Sequence, residues 1–401
     1  MGILATILLL CAAGALAFFY LGVWSTVRHT SLPIPTLEDD AAYPPISLLK
    51  PIKGTEEALE ANLRSFFEQD YPAPFEIVFA SCEDGDPGIA LARRVARDYP
   101  NVPVTFVRAD ISFGLNPKVA NLKGALDAAH YDLVLQSDAN VRARPTYVRD
   151  IVGELVAHDA SLLSSMVVGV GEKTVTAAME NLQLGAMIAP ATCTALHVAG
   201  VTCVIGKSML LRRSELEELG GLELVRDILC EDFILGETYR AAGKRLVLSS
   251  HTVENVNEVL SLEAFLARHS RWLKMRVVIH LGSFVADIFA NPVFLSAAAV
   301  LASDFDRRAL AGFGLAVVLK GVGDAFLVRV CRGTAMPARF LLIAPVKDLL
   351  MGFVWFYSAF SRSVTWRGKK LRFGKHSQLR QDDGTLAVRV ARRLFSGEQS
   401  R

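Results

Sequence analysis

The chain has 401 residues, with 43 Lys/Arg against 41 Asp/Glu, and a net charge of +2 gives no support to nucleic-acid binding. Hydrophobic residues make up 52% and mean hydropathy is +0.33, too apolar for a wholly soluble globule and too polar for membrane helices alone. Six scattered cysteines without CxxC spacing argue against a zinc or disulfide framework, which leaves a soluble domain tied to a bilayer.

Residues 2–23 carry no charge, long enough to cross a hydrocarbon core of roughly 30 Å. No basic stretch precedes this run, so it reads as a retained anchor and not a cleaved signal. Trp24, Arg28 and His29 follow it, and the positive-inside rule then puts the next residues on the cytoplasmic side.

From about Pro45 to Trp272, short apolar runs alternate with helical stretches. Strands are expected at Ile46–Lys50, Glu76–Ser81, Val104–Val107, Leu133–Ser137, Leu162–Val168 and Arg245–Ser249, with helices such as Glu56–Gln69, Gly88–Asp98 and Val119–His130 between them. This alternation predicts an α/β fold, a mostly parallel sheet with helices on both faces. Ligands of such sheets bind beyond the carboxyl ends of the strands, so the polar residues there are the candidates for chemistry.

The first cluster, Glu83-Asp-Gly-Asp86-Pro, follows a strand and could accept hydrogen bonds from a nucleotide base or ribose; taken alone, its Asp, Gly and Pro read first as a turn. Asn116-Pro-Lys118, after Gly114, offers a cation for phosphate. Asp138-Ala-Asn140 closes another strand, and its oxygens could hold Mg2+ or Mn2+ against a diphosphate or merely cap a helix. Glu231-Asp232 opens a helical stretch, Phe233–Ala242; Asp232 is either a cap or a general base for an attacking alcohol. In Arg268-His-Ser-Arg271-Trp272 the spacing lets all three named side chains share a helix face, where arginines suit phosphate oxygens and Trp an interface.

Three more apolar segments follow: 277–302 broken by Pro292, 309–330 containing Lys320, Asp324 and Arg329, and 340–360 containing Pro345, Lys347 and Asp348. Three crossings would leave a basic tail outside, so two crossings and one interfacial helix are expected. That tail, residues 362–401, has eleven Lys/Arg against three Asp/Glu, which suits an anionic lipid surface.

In this order the four elements resemble the Asp, Asp, Asp, (Gln/Arg)-x-x-Arg-Trp pattern of ceramide glucosyltransferases, an inverting branch with the GT-A fold. Ile46-Ser-Leu-Leu-Lys-Pro-Ile-Lys-Gly54, Phe66-Phe-Glu-Gln-Asp-Tyr-Pro72, Gly114-Leu-Asn-Pro-Lys118, Asn121-Leu122 and Thr365-Trp-Arg367 look like the same family, over nearly the whole chain. Bacterial relatives acting on hopanoids share much of this pattern. The resemblance implies nucleotide-sugar binding by Glu83, Asp86, Lys118 and Asp138, and a divalent cation, Mg2+ or Mn2+, on Asp138 and Asn140. It implies a general base at Asp232 and a diphosphate and acceptor role for Arg268, Arg271 and Trp272. The second Asp of the wider superfamily's metal motif is missing, and His251 is read as structural, although some GT-A enzymes place a metal ligand there.

The expected organisation is an anchor over 1–27, a cytoplasmic GT-A domain over 45–275, membrane or interfacial helices over 276–361 and a basic cytoplasmic tail over 362–401. The expected activity is inverting transfer of a hexose, glucose from UDP-glucose first, to a lipid hydroxyl, ceramide first, in a multi-pass protein of the inner membrane. Transfer of N-acetylglucosamine to a hopanoid is the alternative within the class. A polysaccharide synthase would need more uninterrupted spans than this chain offers, and a non-catalytic sugar-nucleotide binder would not need Asp232.

Overall fold

A computed structural model describes residues 2–361, 363–366, 369–374 and 377–381. The chain begins with α1 (Ile3–Thr30). It continues through β1 (Ile46–Pro51), α2 (Leu59–Phe67), β2 (Phe75–Ser81), α3 (Pro87–Ala96), β3 (Val104–Arg108), α4 (Pro117–Asp127) and β4 (Leu133–Ser137). Next come β5 (Val141–Arg142), α5 (Tyr147–Ala157), β6 (Leu162–Val170), α6 (Val175–Gln183), a π-helical turn (Leu184–Ile188) and α7 (Ala189–Ala199). The globular part closes with β7 (Ser208–Arg212), α8 (Arg213–Glu218), α9 (Glu231–Ala241) and β8 (Leu246–Val256).

The eight strands form one sheet in the order β3-β2-β1-β4-β7-β6-β8-β5. Strands β3, β2, β1 and β4 are mutually parallel, as the βα alternation predicts. Their side chains alternate between two buried faces. Ile46, Leu48, Ile77 and Phe79 pack with α2, α3 and α5, while Leu49, Val78, Ala80 and Val134 pack with α4, α8 and α9. A sheet covered on both sides follows.

Four of the seven strand pairings are parallel, as expected, and the three antiparallel ones lie in the second half. Strand β7, absent from the expected strands, runs antiparallel to both β4 and β6, and β5 is antiparallel to β8. The sheet is therefore mixed: a parallel half fused through β7 to an irregular half, with the Asp138 motif directly after β4, as in a GT-A domain. The buried Tyr147 hydroxyl fixes this junction by bonding Ser165 Oγ of β6 at 2.6 Å and Ser208 Oγ of β7 at 2.7 Å.

The rest is helical: α10 (Leu262–Ile279), α11 (Leu281–Phe289), α12 (Pro292–Ala302), α13 (Arg307–Arg332), α14 (Ala338–Leu341) and α15 (Ala344–Phe360). Among the described residues, four helical segments are by length and composition apolar enough to cross a membrane: Ile3–Thr30, Val175–Ala199, Arg307–Arg332 and Ala338–Phe360. The second of these was not expected; it is 56% buried and packs under the sheet and against α1 and α13. Helices α11 and α12 meet at 64°, the break expected at Pro292.

A small sheet, β9 (Ser363–Trp366), β10 (Lys369–Phe373) and β11 (Leu379–Gln381), follows α15. Its last strand lies along the loop before α9, with Leu379 N–H donating to Asp227 O at 2.7 Å and Leu229 N–H to Ser377 O at 3.2 Å. Arg367 of the Thr365-Trp-Arg367 motif and the basic residues beyond Gln381 lie outside the described residues.

Tyr147→Phe should destabilise the chain by about 1–3 kcal/mol, because two fully buried serine hydroxyls then share no partner between them. Chemical unfolding in detergent, compared with wild type, measures it.

Candidate active site

Three of the sequence clusters meet at one place, the carboxyl edge of β4. Asp138 is the first residue beyond that strand and is one-fifth exposed. Its Oδ1 lies 3.1 Å from Lys118 Nζ and its Oδ2 3.1 Å from Lys207 Nζ. Lys118 reaches it because Asn116 caps α4 through the N–H groups of Lys118 and Val119, so the lysine leaves the first turn toward the strand end. The same ammonium pairs with Glu231 Oε1 at 2.8 Å and donates to Gly206 O at 2.8 Å.

Asp232 joins through the same loop. It stands in the first turn of α9, where the helix dipole favours a carboxylate, and its Oδ2 accepts from Gly206 N–H at 2.6 Å. Gly206 is required by this approach: a Cβ there would lie 2.9 Å from Asp232 Oδ2. The N-cap position belongs to Cys230, so Asp232 is not the helix cap that a sequence reading allows.

The electrostatics follow from this packing. Burial works to raise the Asp138 carboxyl, but Lys118 and Lys207 outweigh it and hold the group down at about 2. Burial opposes the charge on Lys118 too, yet Asp138, Glu231 and Asp232 together raise its pKa above the ordinary lysine value. Glu231 moves the other way: burial, helped by Asp232, raises it against the pull of Lys118. Beneath them Lys50 of β1 is fully buried over the Phe66 ring and donates to Ser137 Oγ and Asp138 O; burial drives its pKa well down despite nearby Asp138.

The first cluster lies on the same edge, about 10 Å away by strand spacing, since β1 separates β2 from β4. Asp86 is 3% exposed and spends its oxygens internally, on the N–H groups of Gly54 and Gly88 and on Ser81 Oγ. It shapes the β1–α2 loop and caps α3, which is the turn reading of the motif. Glu83 is nearly half exposed at the rim and pairs with Lys53 at 2.7 Å.

The fourth cluster sits on α10, joined to the others through the end of β8. Val256 N–H donates to Asn140 O at 2.9 Å, and the next residue, Asn257, accepts from Arg268 Nη1 at 3.4 Å. Arg268 and His269 both pair with the buried Glu180 of α6, at 2.8 Å each, and the Trp272 ring stands edge-on to His269. Arg271 is half-buried on the next turn. His251 pairs with Asp150 at 2.8 Å on the α5 side, which agrees with its structural reading.

Lys207 is the functional residue that sequence reasoning missed. Its Nζ lies 2.9 Å from Asn140 Oδ1 as well as 3.1 Å from Asp138 Oδ2, so an ammonium spans the two oxygens expected to hold a divalent cation. One carboxylate and one amide are a thin donor set, and two ammonium groups about 3 Å away repel a dication. Among the described residues no group of three or more His, Cys, Asp or Glu could hold a metal. As arranged, these side chains do not fit the expected cation. The only signal in the sequence was a lysine after a glycine, just before the short apolar run of β7.

Lys207→Met should weaken nucleotide-diphosphate binding by about 10–100-fold, the loss of one charge-assisted contact, with Lys207→Arg intermediate; calorimetry with UDP measures both. The native ion pairs stabilise the fold above the unfolded carboxylate value and are lost as pH falls toward 2. Lys207→Met should therefore lose less stability than wild type between neutral pH and pH 2, because with one of the two ammonium groups gone the Asp138 carboxyl lies closer to its unfolded value; chemical unfolding across that pH range measures it.

Comparison with known proteins bears on this geometry. Residues 7–379 match glycosyl transferase family 21. The chain is 26% identical over 394 residues to ceramide glucosyltransferase 1 of Caenorhabditis elegans, covering 95% of this chain and 81% of that one. It is 30% identical over 211 residues, 47% of this chain and 40% of the other, to the ceramide glucosyltransferase of Komagataella phaffii. Among solved structures, a mannosyltransferase from Pyrobaculum calidifontis in complex with GDP-Man and Mn2+ is 18% identical, with a TM-score of 0.47 over 89% of this chain and 98% of that one. TarS of S. aureus with UDP-GlcNAc is 15% identical, with a TM-score of 0.39 over 83% and 97%. With the family matched over almost its full length and an acidic, lysine-bridged site at the carboxyl edge of the sheet, this chain belongs to glycosyl transferase family 21 and is a hexosyltransferase.

Proposed function

We propose that this enzyme transfers glucose from UDP-glucose to the hydroxyl of a membrane lipid, with ceramide as the first candidate, and inverts the anomeric centre to give a β-glycolipid. The observation that carries this reading is the convergence of Asp138, Lys118, Lys207 and Asp232 on one loop, beside a helix that runs into the apolar helices. The ceramide glucosyltransferase relatives support the acceptor class.

In this mechanism Asp232 accepts the proton of the acceptor hydroxyl as its oxygen attacks the anomeric carbon. The bond from that carbon to the diphosphate oxygen breaks on the opposite face, and UDP departs with the bonding pair. Lys118 and Lys207 face the departing charge, and a fixed array of this kind supplies the largest share of the rate. Asp138 holds the two ammonium groups apart and aimed; Asp86 holds the loop under the nucleotide, and Glu83 meets it at the rim. Arg268, Arg271 and Trp272 close the diphosphate and acceptor side. The catalytic domain lies on the cytoplasmic face of the inner membrane, as Arg28 and His29 in the last turn of α1 imply, over an anchor (1–27) and C-terminal membrane helices (276–361).

Asp232→Asn should lower transfer at least 1,000-fold while UDP affinity stays within about threefold, a split that loss of a general base produces and loss of a binding residue does not. Membranes given labelled UDP-glucose, UDP-galactose or UDP-N-acetylglucosamine should label ceramide with glucose; label on a hopanoid with N-acetylglucosamine would replace the acceptor and donor named here, and long products would mark a polymer synthase. Chelation with EDTA should leave the rate within about threefold. Loss restored by Mn2+ or Mg2+ would return Asp138 and Asn140 to the role of metal ligands.

A further inference from the structure

One cavity of about 60 Å3 lies among the apolar helices, and its walls include His269 and Trp272 of α10. It therefore begins on the element that carries Arg268, from about 1.5 to about 12 Å further along the helix by its rise per residue. Two departures from regular helix border it. The π turn contributes Ile188, and the 64° break between α11 and α12 contributes Ala290 and Asn291. Irregular backbone at membrane depth is tolerated where it lines a cavity, and π turns recur at functional sites.

The polar lining is unusual for such a place. Lys347 donates to Gln183 Oε1 at 3.0 Å and pairs with Asp348 at 2.7 Å; Lys320 pairs with Asp324 at 2.7 Å and Asp348 at 3.0 Å; Arg276 pairs with Asp287. Three cations and two carboxylates line the cavity, and Asp324, behind the wall on Lys320, brings the paired set to neutrality. Charged groups among apolar helices are costly and mark sites of binding or transport. Two buried carboxylate oxygens of the lining have no hydrogen-bond partner, and of these Asp348 Oδ2 is in ion-pair contact with Lys320, which leaves Asp287 Oδ2 as the spare acceptor. Leu273, Met351 and Trp355 supply apolar wall.

We propose that this cavity seats the polar head of the acceptor lipid, and that it selects a neutral head bearing hydroxyl or amide groups over an anionic one. The inference rests on the lipid-acceptor reading above and adds its location and charge class. A neutral head can donate to Asp287 Oδ2 without disturbing the pairs. A phosphate would lose its hydration and find no uncompensated cation in return. The volume admits several water-sized groups, since one water needs roughly 10–15 Å3 of such space, so it fits a small head while the chains remain in the bilayer. The head would then lie beside Trp272, with its reacting hydroxyl directed along α10 toward Arg268 and the carboxylate site.

The test uses the full chain in nanodiscs and a short-chain ceramide carrying a diazirine next to its head. Irradiation should label peptides containing residues 288–291 and 347–355. Unlabelled ceramide should compete at least tenfold better than phosphatidic acid of equal chain length. Label confined to other helices, or equal competition by phosphatidic acid, overturns the proposal. In kinetics, Ala290→Leu and Ile188→Phe, which fill the space from two walls, should raise the KM for the lipid at least tenfold and leave the KM for UDP-glucose within twofold. Properly folded variants with an unchanged lipid KM would also overturn it. Wild-type enzyme that labels as expected but glycosylates no lipid would instead sink the proposed function and leave this binding site standing.

Discussion

The site depends on one loop crossing between two carboxylates. Gly206 gives its N–H to Asp232 and its carbonyl to Lys118, while Lys207 gives its ammonium to Asp138 and Asn140. The loop can do this only because β7 runs antiparallel between β4 and β6, which delivers its N-terminal end to the carboxyl end of β4. Had β7 been parallel, Gly206 and Lys207 would lie at the opposite edge of the sheet. The antiparallel insertion is what turns the end of a parallel half-sheet into a reaction centre.

The lysines and acids also hold one another in place. A buried ammonium without partners is expensive, and so is a buried carboxylate; interleaved as Glu231–Lys118–Asp138–Lys207, each offsets the other. A diphosphate entering this array meets charges already fixed in geometry, so little reorganisation is needed as charge develops. Gly206 is the narrow point, because its missing side chain is what lets Asp232 approach the loop.

Coupling to the bilayer runs through Glu180. This fully buried carboxylate on the unexpected apolar helix ties down Arg268 and His269 and so fixes the pose of α10 over the sheet edge. Its helix packs under the sheet and, through the segment that follows, against α1 and α13, so the α/β domain and the apolar helices are in direct contact instead of being joined by a tether. On the proposed reading, a lipid among those helices and a sugar nucleotide above the sheet would be kept in a fixed relation.

Much of this was legible in the residues. The six expected strands are all present, because buried parallel strands read as apolar runs set between amphipathic helices, and Asp86, Asp138 and Asp232 fall just past strand ends or at helix starts, where local pattern alone places them. Spacing also gave the shared face of Arg268 and Trp272. Strand β7 and Lys207 were not legible, since a five-residue run carries no sign of its direction or neighbours, and Lys207 matters only through partners roughly 70 positions away in the chain. Glu180 was hidden likewise, inside a helix whose apolar face fits either a core or a membrane. The sequence by itself determined which residues could do the chemistry, because side-chain type and local period are properties of short segments. The tertiary structure decided which of them meet and that an ammonium spans Asp138 and Asn140, because those facts depend on strand order and on the charges that distant segments bring together.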